Sequence, residues 1–165
     1  MIRIASMSAQ KVMGVLAASQ GVPAAVAAIV SLENLSLPAF ASPQIVTQNA
    51  APELWEQSST SKYPMVSVYC NKVSNELKEK FRTFSGVVQM TAEARVSQDR
   101  LAQIESNLEL YVDAITQVLD QNRGDWGDGF WYSGGYEVTF GAVKSGGQNF
   151  LQIAKVSFAL EVSTD

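Results

Sequence analysis

Asp113, Asp120, Asp125 and Asp128 are the side chains in this chain best suited, by type and spacing, to proton transfer or cation binding. Either chemistry needs two or more carboxylates converging on one point. Asp113 and Asp120 share one face of a predicted helix at a separation of ~10 Å, and no other chemical group is expected near them. They read as solvated helix charges. Asp125 and Asp128 sit among glycines and could touch a cation, but their spacing lacks the ladder of oxygen ligands that a calcium loop requires. Glu93 and Arg95 stand two apart on an alternating segment, the spacing of an ion pair on a sheet surface rather than of an acid and a substrate clamp. The chain has no histidine, which removes Ser-His-Asp and Cys-His catalysis and most zinc sites. Its single cysteine, Cys70, follows Val66 and Val68 on one strand face and reads as a small buried hydrophobe with no disulfide partner. Gly141, Gly146 and Gly147 precede a strand, not a helix, and match no phosphate loop. The expectation is a protein that is not an enzyme and uses no cofactor or metal.

Residues suited to binding are concentrated in Gly124–Tyr136, where five aromatic side chains and five glycines lie between a helix and two strands. Exposed rings are costly at ~25 cal/mol per Å² of apolar area. They must fold back on the domain or be covered by another chain. Trp126, Phe130, Trp131, Tyr132 and Tyr136 are therefore candidate interface anchors, since aromatic side chains are favoured there.

The elements around these residues are legible in the periodicity. Ser8–Gln20 reads as a helix capped by Ser8 and stopped by Gly21. Pro23 opens a second helix through Val30. A connector over 35–62 holds a short strand near Ile45 and Val46 and one or two helical turns over 51–57. Met65–Cys70 alternates as a strand, and 71–80 reads as an exposed turn or short helix. Phe84–Val96 is a long strand, apolar on one side, with Gln89, Glu93 and Arg95 on the other. Ser97 or Asp99 caps a helix of about five turns, striped by Leu101, Ile104, Leu108, Tyr111, Ile115 and Leu119, and Gly124 ends it. Two strands joined near 144–148 complete the chain. This order predicts one α+β domain: an antiparallel or mixed four-stranded sheet packed by one long helix, with N-terminal helices over 1–34 and the core over 63–162.

Bulk composition narrows the function. The 165 residues are 47% hydrophobic and 17% charged, with net charge −4 and a pI near 4.8. A protein that coats nucleic acid is normally basic, and no polybasic run addresses an anionic membrane. The small-residue run over 12–30 with Ala39-Phe40-Ala41 offers a signal-peptide reading, but Gln20, Gly21 and Pro23 interrupt it. Nor is any apolar stretch long enough to span a membrane.

Four motifs carry a resemblance: Lys62-Tyr63-Pro64, Phe84-Ser85-Gly86, Tyr111-Val112-Asp113-Ala114 and Gly146-Gly147-Gln148-Asn149-Phe150. Together they resemble tail terminator and tail-completion proteins of tailed bacteriophages, over about Tyr63–Val162. The resemblance implies a virion protein that forms a homo-oligomeric ring, usually a hexamer, on the last ring of the tail tube. Its implied partners are copies of itself, the tube protein, the sheath protein of a contractile tail, and a neck stopper or connector protein. DNA would pass through the lumen without specific binding, and the polar face carrying Gln89, Glu93 and Arg95 is the expected lumen surface. The alternatives are another head–tail connector, such as a stopper or head-completion protein, and a small non-catalytic binding module.

Overall fold

The structure, a computed structural model, describes residues 3–50, 63–146 and 148–165. The helical turns expected over 51–57 and the linker after them fall outside the described residues. Three α-helices are described: α1 (Ile4–Leu16), α2 (Val22–Leu32) and α3 (Ile104–Gln121). Eight strands are described: β1 (Ile45–Val46), β2 (Met65–Asn75), β3 (Phe84–Gln98), β4 (Gly124–Gly127), β5 (Phe130–Tyr132), β6 (Glu137–Phe140), β7 (Lys144–Gly146) and β8 (Asn149–Thr164).

The α+β class holds, and the expected four-stranded sheet is corrected to a mixed sheet of eight described strands. Its main path runs β1-β2-β3-β8-β5-β4, with β6 and β7 also on β8. β1 is parallel to β2, whereas the other pairs are antiparallel. The centre is β3 against β8, registered from Phe84 opposite Thr164 to Gln98 opposite Phe150. Two extensions escaped the periodicity. β2 continues to Asn75 through a bulge between Cys70 and Lys72, because β3 supplies a partner there. A bulge flips the side-chain alternation, which conceals the strand from a period-2 reading. The glycine-rich segment is also not a loop, since β4 and β5 pair with each other and β5 pairs with β8.

α1 and α3 pack on one face of the sheet, and α2 packs on α3. The interface is one apolar cluster built from Val12, Leu16, Leu108, Ile115 and Leu119 against Val66, Val88, Met90, Val156 and Leu160. Burial of such a stripe, rather than helix propensity, is what stabilises an amphipathic helix. The ends of the helices differ from expectation. Ser8 is not a cap: it lies buried within α1 and its Oγ donates to Ile4 O at 2.7 Å, the i−4 bond available to a mid-helix serine. α3 starts at Ile104 after Gln103, so neither Ser97 nor Asp99 caps it, because β3 keeps its partner β8 out to Gln98; it ends at Gln121, and Gly124 opens β4 instead of stopping the helix. Leu101 is left exposed outside the helix. Pro23 stands in the first turn of α2 as expected.

Candidate functional site

The candidate residues fall in two places: the aromatic hairpin β4–β5 and the sheet face turned away from the helices.

The hairpin sorts its rings by alternation. In β5 the flanking Phe130 and Tyr132 are fully buried, and Trp131 between them points out, 49% exposed. Tyr132 packs edge-on against Phe158 at 5.7 Å and tilted against Trp126 at 5.4 Å. The Trp126 indole N–H donates to Asn122 O at 2.6 Å, tying the hairpin to the end of α3. Tyr136 is exposed, and its hydroxyl donates to Asp120 Oδ2 at 3.1 Å. Gly129 turns the hairpin with φ +81°, and a Cβ there would lie 1.9 Å from Ser163 O. Only glycine combines that φ with that approach. Of the five expected anchors, then, Phe130 and Tyr132 belong to the core, Trp126 is half-buried on Tyr132, and Trp131 and Tyr136 remain outside. Burial pushes the Tyr132 phenol up to about 12.

The carboxylates of this region are all engaged. Lys11 of α1 donates to Asp128 Oδ2 at 2.6 Å and to Trp126 O at 3.1 Å, and its ammonium stands 5.8 Å from the Phe130 ring centre. That hydrogen bond holds the Asp128 carboxyl below its usual range. Asp125 Oδ1 accepts from Gly127 N–H at 2.8 Å. Asp120 pairs with Arg123 at 2.9 Å, which, with the Tyr136 bond, depresses its carboxyl. Asp125 and Asp128 thus serve separate local bonds, and among the described residues no three His, Cys, Asp or Glu side chains group as metal ligands.

The far face of the sheet departs most from the sequence reading. Gln89 is exposed, but Glu93 and Arg95 are 4% and 1% exposed. Arg95 Nε donates to Glu93 Oε1 at 3.1 Å, and the Tyr69 hydroxyl donates to Glu93 Oε2 at 2.7 Å. Arg95 Nη2 donates to Ala50 O at 2.5 Å, and Ser67 Oγ donates to Gln48 O. Gln48 and Ala50 of the connector therefore meet this face, and Glu93 and Arg95 do not line an open surface in the single chain. Burial, then the bond to Glu93, raises the Tyr69 phenol well above its ordinary value. Arg95 Nη1 finds no partner among the described residues. Next to this network a cleft of about 380 Å³ is lined by Glu93, Thr139, Ile153 and Lys155. Both Glu93 oxygens are already hydrogen-bonded, so this carboxylate is a poor general base for anything entering the cleft. Cys70 is half-buried, and burial raises its thiol, which leaves it a weak nucleophile.

Sequence reasoning missed Leu77 and Phe81. They lie within and just after 71–80, the segment that reads as an exposed turn or short helix, and they are exposed large apolar side chains at the tip of the β2–β3 hairpin. Two apolar residues interrupting a charged run were the available signal.

No protein-family model matches the chain, and no curated protein matches it. No helix among the described residues is long and apolar enough to cross a membrane.

Proposed function

We propose that this chain is a structural subunit that closes with copies of itself into a ring at the head-proximal end of a phage tail tube, where it ends tube growth and joins the tail to the neck. The observation that carries this reading is that five of the ten exposed large apolar side chains among the described residues fall at the two ends of the β3–β8 pair. Leu77, Phe81 and Trp131 stand at one end of the β3–β8 pair, and Leu101 and Phe150 at the other. Exposed anchors at opposite ends suit a subunit with neighbours on two sides. The chain would act through shape: each subunit meets the next through unlike surfaces at a fixed rotation, which closes a ring. The ring's far face would not accept another tube subunit. Net charge −4 suits a lumen through which DNA slides, since few phosphates would be neutralised.

The test is imaging of virions that carry a tagged copy. A ring of density between tube and neck is expected, with tails of uncontrolled length when the protein is missing. Copurification with DNA-filled, tailless heads would instead assign it as a stopper. Normal tails in its absence would end the proposal.

A further inference from the structure

The loop between β2 and β3 is a built feature. Asn75 Oδ1 accepts from Leu77 N–H at 3.3 Å and from Ser85 N–H at 3.1 Å, and Asn75 Nδ2 donates to Thr83 O at 3.2 Å. Ser85 O accepts from Glu76 N–H at 3.1 Å and Ser85 Oγ from Glu79 N–H at 3.1 Å. This internal bonding presents Phe81 to solvent, 97% exposed, and holds Leu77 exposed at φ 49°, a left-handed conformation unfavourable for leucine. Local strain of this kind persists where the surrounding structure over-determines it, as the Asn75 and Ser85 bonds do here. Lys78 and Arg82 are engaged by Glu76, Glu79 and Asp165, whereas Lys80 beside Phe81 takes part in no ion pair among the described residues. The tip is an apolar ring next to a free positive charge.

A matching surface lies in the helical layer. Between α2 and α3 runs a groove of about 440 Å³ lined by Ile29, Leu32, Glu33, Asp113 and Asp120 among others. Leu32 is 84% exposed. Asp120 is held by Arg123, whereas Glu33 and Asp113 have no ion pair among the described residues. No residue of the β2–β3 loop lines the groove. Two apolar side chains, Ile29 and Leu32, and three carboxylates, Glu33, Asp113 and Asp120, thus line the groove, opposite in character to the aromatic ring and lysine of the loop tip.

We infer that the occupant of the α2–α3 groove is the β2–β3 loop of a second copy of this chain, with Phe81 against Ile29 and Leu32 and Lys80 against Glu33 and Asp113. The contact joins two different patches, so it propagates head to tail and closes a ring when the rotation allows. The loop is ordered before docking, which lowers the entropic cost of association. This inference rests on the ring reading and specifies its subunit contact.

Sedimentation velocity on the full chain, alone and with isolated tails, tests it. Wild-type protein should self-associate, and Phe81→Ser or Lys80→Glu should weaken association about tenfold or more, at unchanged circular dichroism. Asp113→Lys combined with Lys80→Glu should recover part of the loss. A photoreactive benzoyl-phenylalanine at position 81 should crosslink to the α2–α3 groove of another copy. Rings that form equally well with Phe81→Ser, or crosslinks that map elsewhere, overturn this contact and leave the ring reading standing. Wild-type protein that stays monomeric in both settings overturns the contact and the ring together.

Discussion

Glu93 and Arg95 show how one ion pair changes meaning with depth. On a wet sheet surface it would contribute ~0–1 kcal/mol. Buried, with Tyr69 donating to the same carboxylate, it becomes a unit that fails when halved. Glu93→Leu alone should cost ~3–5 kcal/mol in urea unfolding, because Arg95 is left charged and buried. Glu93→Leu with Arg95→Met should cost far less than the two single losses summed, since apolar replacement of a buried pair is often neutral. The phenols give a second test. Tyr69, Tyr111 and Tyr132 all have raised values, and Tyr132 reaches about 12. Folding holds the neutral phenol, so the stability linked to these groups is intact below the ordinary value near 10 and is lost as pH climbs towards about 12. Absorbance titration at alkaline pH should show the Tyr69, Tyr111 and Tyr132 phenols ionising late, together with unfolding.

The hairpin β4–β5 is the element on which core and surface roles separate over a single residue. Phe130 lies under the Lys11 ammonium with no exposure, and Trp131 lies outside. Phe130→Ala should destabilise the fold by ~3–5 kcal/mol in denaturant unfolding. Trp131→Ala should leave the unfolding midpoint nearly unchanged and weaken assembly instead. Equal losses of stability and assembly in Trp131→Ala would place the ring in the fold rather than at an interface. The same element shows why the glycines are needed: at Gly129 any side chain would meet the backbone of β8.

Across the described residues, the helices cover one face of the sheet, and the exposed large apolar side chains divide between the ends of the β3–β8 pair (Leu77, Phe81, Trp131, Leu101, Phe150) and the helical layer and flanking segments (Met7, Leu32, Leu35, Tyr136, Phe140). In the proposed ring, the loop at one end of the sheet and the outer side of the helical layer would both meet neighbours. If the chain is the proposed tail terminator, deleting it should alter tail length. Negative-stain length distributions of tails from mutant and complemented lysates measure this directly, and unchanged lengths would argue against a terminator role.

Local spacing in the amino-acid sequence determined the stripe of α3 from Ile104 onward and the long strand β3, and with them the α+β class. Each is a repeat of apolar side chains at 3.6 or 2 residues, a property that one segment carries by itself. Only the tertiary structure decided that β2 runs on to Asn75, that Gly124–Tyr132 joins the sheet, and that Glu93 and Arg95 are covered rather than wet. Alternation tells which side chains share a face, but not whether that face is open. Strand pairing and covering join residues far apart in the chain, so the fate of a polar face depends on segments that its own sequence does not contain.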